Sequence, residues 1–371
     1  MNVRDARPDE LADWDALTVD APGGHVYQSL AWAEHRRASG WRPRFLLVDD
    51  GGRVLALTRR WPIVGGGSAY VPRGPVANGA GGAGGVALAT RVIAVGDALA
   101  RERIDVVAAD PEVPATDRPF RTAIEAAGYR PIEEIQPSRH RISLPLGPDA
   151  DEAGTFEAIA KSTRQRIRGA EKAGVAVIRH DARVGPGGPG EGFASPAEPA
   201  ATALDRFYDL LLETGERRHF SFGPRAGFVG WWRAALSAGH LVYLEARADD
   251  ARGAPLAGLI LYRHGHRLST VHSGDHDTSR RSHPGALHLL RWRAIQLAIR
   301  EAAIEMDLGG VDTAGARGEP HEGDPLYGLY QHKLSFGGRW LALTGAHERV
   351  YDPRGYRTGR LASRLARLVR P

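Results

Sequence analysis

Three runs decide the fold: Leu241-Val242-Tyr243-Leu244-Glu245-Ala246-Arg247, then Pro255-Leu256-Ala257-Gly258-Leu259-Ile260-Leu261-Tyr262-Arg263, then Arg267-Leu268-Ser269-Thr270-Val271-His272. Each is a strand-like run, short and bounded by turn residues. Asp249-Asp250-Ala251-Arg252-Gly253 joins the first two. A helical pattern, Pro284–Ala302, leads on to a strand, Ile304–Leu308, which ends in the turn Gly309-Gly310-Val311-Asp312. Helical patterns at Asp151–Ala173 and Ala200–Gly215 precede the three strands.

The first half repeats the pattern. Helical stretches at Pro8–Val19 and Leu30–Ala38 precede strands at Arg44–Val48, Val54–Ile63 and Ser68–Val71. Asp49-Asp50-Gly51-Gly52 marks a hairpin turn between the first two. A helix at Val86–Arg101 and a strand at Ile104–Ala109 follow, the strand ending in Asp110-Pro111-Glu112. A helix at Arg118–Ala127 and a strand near Arg139–Leu146 close the half. A meander feeding a helix and a returning parallel strand is an α/β (α+β) layer fold, and two copies imply an internal duplication.

Composition agrees. The 371 residues are 42% hydrophobic and 25% charged, which predicts two globular domains. Cysteine is absent, so disulfides, Cys-ligated zinc, iron–sulfur clusters and thiol nucleophiles are excluded. The N-terminus lacks an apolar signal core, and no apolar run is long enough to span a bilayer, so the expected location is cytoplasmic. The net charge of +5 permits an anionic partner without demanding one. Lysine occurs only at positions 161, 172 and 333 in an arginine-rich chain. Arginine cannot shed its proton and lysine can, so each of the three is a candidate for chemistry.

Other segments say less. Asp181–Ala200 is rich in glycine and proline and reads as a flexible loop or disordered insert; Ala80–Gly85 is a shorter glycine-rich loop. In the C-terminal stretch Gly359–Val369, Leu361, Leu365 and Leu368 share one face beside Arg360, Arg364, Arg367 and Arg370. That pattern suits a helix docked on a domain, or alternatively a helix lying on a membrane surface. No phosphate-binding Walker sequence, dinucleotide fingerprint or nucleophile elbow is present. His264-x-His266 and Asp275-His276-Asp277 lack a third metal ligand at a recognised spacing. In the basic run Lys161–Lys172, a helix would set Lys161, Arg164 and Arg168 on one face, a stripe suited to a phosphate backbone, although taken alone a solvated helix face is the readier account.

Taken in order, several blocks resemble the Fem family of aminoacyltransferases (the FemA, FemB and FemX type). They are Gln28-Ser29-Leu30-Ala31-Trp32-Ala33 with Gly40-Trp41, Tyr70-Val71-Pro72-Arg73-Gly74-Pro75-Val76, and Ala109-Asp110-Pro111-Glu112. The basic helix running into Ala173-Gly174-Val175 fits as well, as do Asp307-Leu308-Gly309-Gly310-Val311-Asp312 and Gly328-Leu329-Tyr330-Gln331-His332-Lys333-Leu334-Ser335-Phe336-Gly337-Gly338. The resemblance implies two tandem GNAT-like (acyl-CoA N-acyltransferase-like) domains. These would be residues 1–146 and 147–337, with 338–371 returning to the first domain. Without a coiled-coil arm, the chain looks like a compact member.

The resemblance implies transfer of an amino acid from aminoacyl-tRNA to the side-chain amine of a lipid-linked or UDP-linked peptidoglycan precursor, with no cofactor, no metal and no DNA. A peripheral contact at the inner face of the membrane would accompany a lipid-linked acceptor. Lys333 matches the family's functional lysine and would be the cation for the tetrahedral oxyanion. Asp110 would orient the acceptor amine. Arg36 and Arg73 would bind the precursor in the first domain, with Arg225, His272, Tyr330 and His332 as further substrate contacts. Lys161, Arg164, Arg168 and Lys172 would meet the tRNA. The sequence departs from the family at His332, where a phenylalanine is common, and at His272, which replaces a tyrosine. Two alternatives stay open: an acyl-CoA-dependent N-acyltransferase of the GNAT type, and a non-catalytic module that binds tRNA or membrane. The first needs a phosphate-cradling loop, and Arg280-Arg281-Ser282-His283-Pro284-Gly285-Ala286 has the wrong spacing and a proline where an amide is required.

Overall fold

The computed structural model describes residues 1–76, 84–136, 139–218, 222–248, 252–311 and 318–369. The Ala80–Gly85 loop (apart from its last two residues), Asp249 to Ala251 of the second hairpin turn, Asp312, and the side chains of Arg367, Leu368 and Arg370 lie outside that description. The chain divides into two compact units, one of Met1–His140 with Leu341–Pro371 and one of Arg141–Trp340.

The first unit contains β1 (Val3–Asp5), α1 (Leu30–Ala38), β2 (Arg42–Val48), β3 (Arg53–Arg60), β4 (Gly67–Val71), α2 (Gly85–Arg101), β5 (Val106–Ala109), α3 (Arg118–Ala126) and β6 (Arg130–Pro131). Strands β1 to β4 form an antiparallel meander, and β5 returns parallel to β4. The sheet is completed by His347–Val350, which lies antiparallel between β5 and β6. Helix α1 starts where the Ser29 hydroxyl accepts the Trp32 N–H at 2.9 Å. The expected helix over Pro8–Val19 is instead a 3-10 turn at Pro8–Leu11 and a wide turn at Ala16–Asp20. Buried Trp14 forces the irregularity, with its indole N–H donating to the Gln28 carbonyl at 2.8 Å and the Thr18 hydroxyl donating to the Trp14 carbonyl. The core packs Leu46, Val54, Ala56, Val71, Val92, Val95, Leu99, Val107, Phe120 and Ile124 between sheet and helices.

The second unit contains β7 (His140–Pro145), α4 (Glu152–Ala158), α5 (Lys161–Lys172), β8 (Ala176–Asp181), α6 (Ala200–Arg218), α7 (Arg225–Ser237), β9 (Leu241–Arg247), β10 (Pro255–His264), β11 (Arg267–Asp275), α8 (Asp277–Ser282), α9 (Ala286–Arg300), β12 (Glu305–Asp307), α10 (Tyr327–Leu334) and β13 (Arg339–Ala342). Its sheet repeats the first: an antiparallel meander β8 to β11, then β12 parallel to β11. The strand expected to close the first half, β7, pairs antiparallel with β12 and so belongs to this sheet. It fills the place that His347–Val350 fills in the first. Strands β9 and β10 are buried on both faces, which is why they read as continuous apolar runs rather than alternating ones. The single helix expected over Asp151–Ala173 breaks at Ile159, whose extended backbone sends its side chain into the core while the Ala160 N–H donates to the Ser335 carbonyl.

The Gly/Pro-rich insert is not free. Ala194 exchanges backbone hydrogen bonds with Val177 and Arg179 of β8, and Phe193 packs on the core. Arg179 and Arg300 donate to the Pro189 and Glu191 carbonyls, and Glu198 binds Arg206 and Arg247. Arginines satisfy the carbonyls that the loop cannot pair by itself. The C-terminal helix runs from Pro353 to Val369, leaving Leu361 and Leu365 exposed. No helix among the described residues is long and apolar enough to cross a membrane.

Candidate functional site

In the second unit the site grows from the end of β12. The Asp307 carboxylate accepts the Gly309 N–H at 2.7 Å and turns the chain. Gly309 has a left-handed φ of +77°, and a Cβ there would lie 2.7 Å from the Thr270 carbonyl and 3.1 Å from Lys333 Nζ, so only glycine fits. Helix α10 carries Lys333 inward. Lys333 is 6% exposed, and its Nζ donates to the Gly310 carbonyl at 2.7 Å. One turn earlier, the Tyr330 hydroxyl donates to Glu319 Oε2 at 3.0 Å. Burial and that carboxylate raise the Tyr330 phenol, so it keeps its proton at neutral pH.

Sequence reasoning missed the group beside this lysine. Arg291 of α9 is 1% exposed. Its Nε donates to His332 Nε2 at 3.0 Å, and one Nη sits 3.3 Å from the Ser273 hydroxyl. The other Nη is buried without a partner among the described residues. Burial alone pulls Arg291 down to about 10, with no carboxylate acting on it. The His288 and His332 rings meet edge to face at 4.5 Å, with Phe336 against both. Burial, then nearby cations, holds His288 at about 4 and His332 at about 2. The one signal in the sequence was an arginine between Leu290 and Trp292, both buried, on a helix apolar almost all round.

His272 lies on the other side of the sheet, because successive strand residues alternate faces. A bulge in the β10–β11 pairing leaves Val271 without an opposite residue; Ile260 faces His272 and Leu261 faces Thr270. The His272 ring sits among Phe222, Phe228 and Trp232, with centroids at 6.1, 5.7 and 5.6 Å, and burial lowers it to about 4. Arg225, at the start of α7, is exposed and committed to α6. It pairs with Asp209 and Asp205 and covers the Tyr208 ring at 4.7 Å. These pairs tie α7 to α6. On α5, Thr163, Ile167 and Ala170 point inward while Lys161, Arg168 and Lys172 are exposed and Arg164 half-exposed. None of the four has a carboxylate partner among the described residues, and Arg168 lies over Phe156 at 5.3 Å. The stripe is a solvated cationic face.

In the first unit, Arg36 of α1 stacks between Trp32 and Trp41, at 5.4 and 5.6 Å from the ring centroids. Its Nε is buried without a partner among the described residues, and burial lowers its pKa. Arg73 has a left-handed φ of +50° and is buried against Asp110. Asp110 is 1% exposed; it accepts the Tyr70 hydroxyl and the Arg73 N–H, each at 2.7 Å. Burial pushes its carboxyl up to about 6 against the pull of Arg73. Burial and Asp110 hold the Tyr70 phenol well above 10. Asp110 thus holds the turn that carries Arg73.

Gln28 does more than its place in a motif suggested. The β3–β4 register pairs Leu57 with Tyr70, so its continuation would set Leu55 opposite Pro72. Proline has no N–H to give, and the strands part there. The Gln28 carboxamide enters the gap: Oε1 accepts the Leu55 N–H at 2.7 Å, while Nε2 donates to the Pro72 carbonyl at 2.6 Å and the Leu55 carbonyl at 3.2 Å. Among the described residues no group of three or more His, Asp or Glu could hold a metal ion.

Residues 160–321 match the family model of the acetyltransferase (GNAT) domain. No curated protein matches the chain. Among solved structures, FemX is similar over 96% of this chain and 99% of its own, at 18% identity and a TM-score of 0.74. A conserved protein of unknown function from Bacteroides thetaiotaomicron VPI-5482 is similar over 94% and 98%, at 15% identity and a TM-score of 0.55. L-PGS from Bacillus licheniformis is similar over 97% and 98%, at 11% identity and a TM-score of 0.50. The fold is therefore FemX-like, with two GNAT-like domains, and the second unit carries an acyltransferase domain of the GNAT type.

Proposed function

We propose that this protein is an aminoacyltransferase that moves an amino acid from aminoacyl-tRNA to the side-chain amine of a peptidoglycan precursor. The observation that carries the reading is Lys333, enclosed at the end of β12 and oriented by the Gly310 carbonyl within a FemX-like fold. An amine attacking the ester carbonyl forms the N–C bond and places negative charge on the carbonyl oxygen. Collapse breaks the C–O bond to the terminal ribose, and the proton lost by the amine ends on the ribose oxygen. A fixed ammonium directed at the developing oxyanion lowers that barrier.

The basic face of α5 supplies cations for the tRNA backbone. Arg36 and Arg73 supply cations for the phosphates of the precursor, with Asp110 as a positioning residue for Arg73. Ile63 is 96% exposed at the β3–β4 hairpin; Leu361 and Leu365 are exposed on the C-terminal helix, whose residue 359 packs against Trp61. With Arg357, Arg360 and Arg364 on the same helix, Leu361 and Leu365 form an apolar and cationic face that suits a lipid-linked acceptor at a membrane surface.

The match to a GNAT domain favours a second reading, transfer from acyl-CoA. The entry to α9 weighs against it. Pro284 lacks an N–H, the Ala286 N–H is spent on the His283 carbonyl, and Gly285 is pressed against the Arg166 carbonyl. Those amides do not form a phosphate cradle. The two readings separate in one experiment. The purified chain is given radiolabelled aminoacyl-tRNAs or acyl-CoA, with UDP-linked or lipid-linked muropeptide as acceptor. Label passing from tRNA to either acceptor supports the proposal, and acyl-CoA consumption with no transfer from tRNA overturns it.

A further inference from the structure

We infer that His332 donates a hydrogen bond through Nδ1–H to the ester carbonyl oxygen of the acyl donor, beside Lys333, and that Arg291 is the positioning residue that fixes this tautomer. The inference rests on the acyl-transfer reading above. It starts from one hydrogen bond. Arginine has donors only, so the 3.0 Å contact from Arg291 Nε requires His332 Nε2 to be the acceptor. The proton of the neutral ring is therefore on Nδ1.

The surroundings remove the other protonation state. Arg166 acts on His332 from α5, His288 and Arg291 act from α9, and Lys333 is its own neighbour on α10. Burial is the largest influence on the ring, and the cations around it act in the same direction. The ring is half-buried, and Nδ1 has no protein partner among the described residues. A neutral imidazole beside a cation, with its lone pair taken and its N–H unspent, is a polarised donor. It cannot serve as the base for the attacking amine, since Nε2 is occupied and Nδ1 already carries its proton. Ser273 holds the far side of the guanidinium, so the arrangement spans β11, α9 and α10.

The test reads the ring directly. In the full chain with 15N-labelled histidine, the His332 signals are assigned by their loss in His332→Phe. The expected result is an Nδ1–H tautomer that does not titrate between about pH 5 and 8. Arg291→Met should release Nε2, so that the ring gains Nε2–H character and begins to titrate; Arg291→Lys, which keeps a donor, should restore Nδ1–H. An Nε2–H tautomer in the wild type overturns the inference even if Arg291→Met fails to fold. In the transfer assay, His332→Phe should lower kcat by about 10²-fold, with KM little changed, and His332→Asn should recover part of the loss. An unchanged kcat in His332→Phe overturns the donor role. If neither donor is used by the wild type, the functional reading fails and the donor role with it, while the tautomer measurement still decides whether Arg291 fixes the ring.

Discussion

Replacing Gln28 with Leu should destabilise the first unit by about 4 kcal/mol, far more than the change in size would suggest. Gln28 is fully buried, and its carboxamide stands where the β3–β4 ladder would otherwise need a partner for Leu55 and Pro72. A leucine fills nearly the same volume but leaves the Leu55 N–H, the Leu55 carbonyl and the Pro72 carbonyl without the carboxamide that bonds them. Each orphaned group costs about 1–3 kcal/mol, so three give about 3–9, with the low half expected because the Leu55 carbonyl contact is the longest of the three. The assay is urea unfolding followed by tryptophan fluorescence, because the Trp14 indole is bonded to the Gln28 carbonyl and senses the site. Gln28→Glu is the discriminating companion. It keeps an acceptor for Leu55 but sets a carboxylate against the Pro72 carbonyl. Its buried carboxyl should have a raised pKa, so the variant should be most stable at low pH and lose stability as pH rises through that value. A loss below about 1 kcal/mol for Gln28→Leu, or no pH dependence for Gln28→Glu, would refute the bridging role. Because the bridge also sets the turn that carries Arg73, transfer should fall in the same variant under conditions where it remains folded.

Three further outcomes are expected. Replacing Lys161, Arg164, Arg168 and Lys172 with Ala should flatten the salt dependence of tRNA binding by about 0.7–0.9 in log–log slope for each phosphate no longer neutralised; an unchanged slope would show that the stripe is only solvated. His272, His288 and His332 all have folded values below 6.5, so the stability their neutral forms permit is present above pH 6.5 and is lost as pH falls toward 4. The urea midpoint of the second unit should drop over that range, and His272→Phe, fitting the aromatic surround, should flatten the drop; an identical pH profile would contradict the assignment. Arg225→Ala should leave transfer kinetics unchanged, since that guanidinium is committed to Asp205 and Asp209, and a raised KM would return it to the substrate site.

Much of the architecture was legible because strand and helix periods are local. The meander strands, Leu30–Ala38 and the duplication follow from alternation, turn residues and helical spacing. What was not legible depends on partners far along the chain. Nothing in His140–Pro145 says which sheet will accept it, and it joins the second by pairing with residues 305–307. Helix Arg225–Ser237, unread in the sequence, buries Val229, Trp231, Trp232 and Ala235 only because sheet and α6 are already present. The insert looked disordered by composition, but arginines from other elements satisfy its carbonyls. In the candidate site Lys333 stood out because lysine is rare in this chain. Arg291 did not, since an arginine is ordinary until its burial and missing counter-charge are seen. The partners of Asp110 and Arg225 within the protein, Tyr70 and the Arg73 N–H for one and Asp205 and Asp209 for the other, were not legible either, because they come from distant parts of the chain.

The most direct measurement is single-turnover transfer from labelled aminoacyl-tRNA to a muropeptide acceptor by the wild type, Lys333→Met and Lys333→Arg, at saturating acceptor. If Lys333 stabilises the oxyanion, Lys333→Met should lose about 10²–10³ in rate with tRNA affinity unchanged, and Lys333→Arg should recover part of it. A Lys333→Met enzyme that transfers at the wild-type rate, or that loses only tRNA binding, would contradict the account.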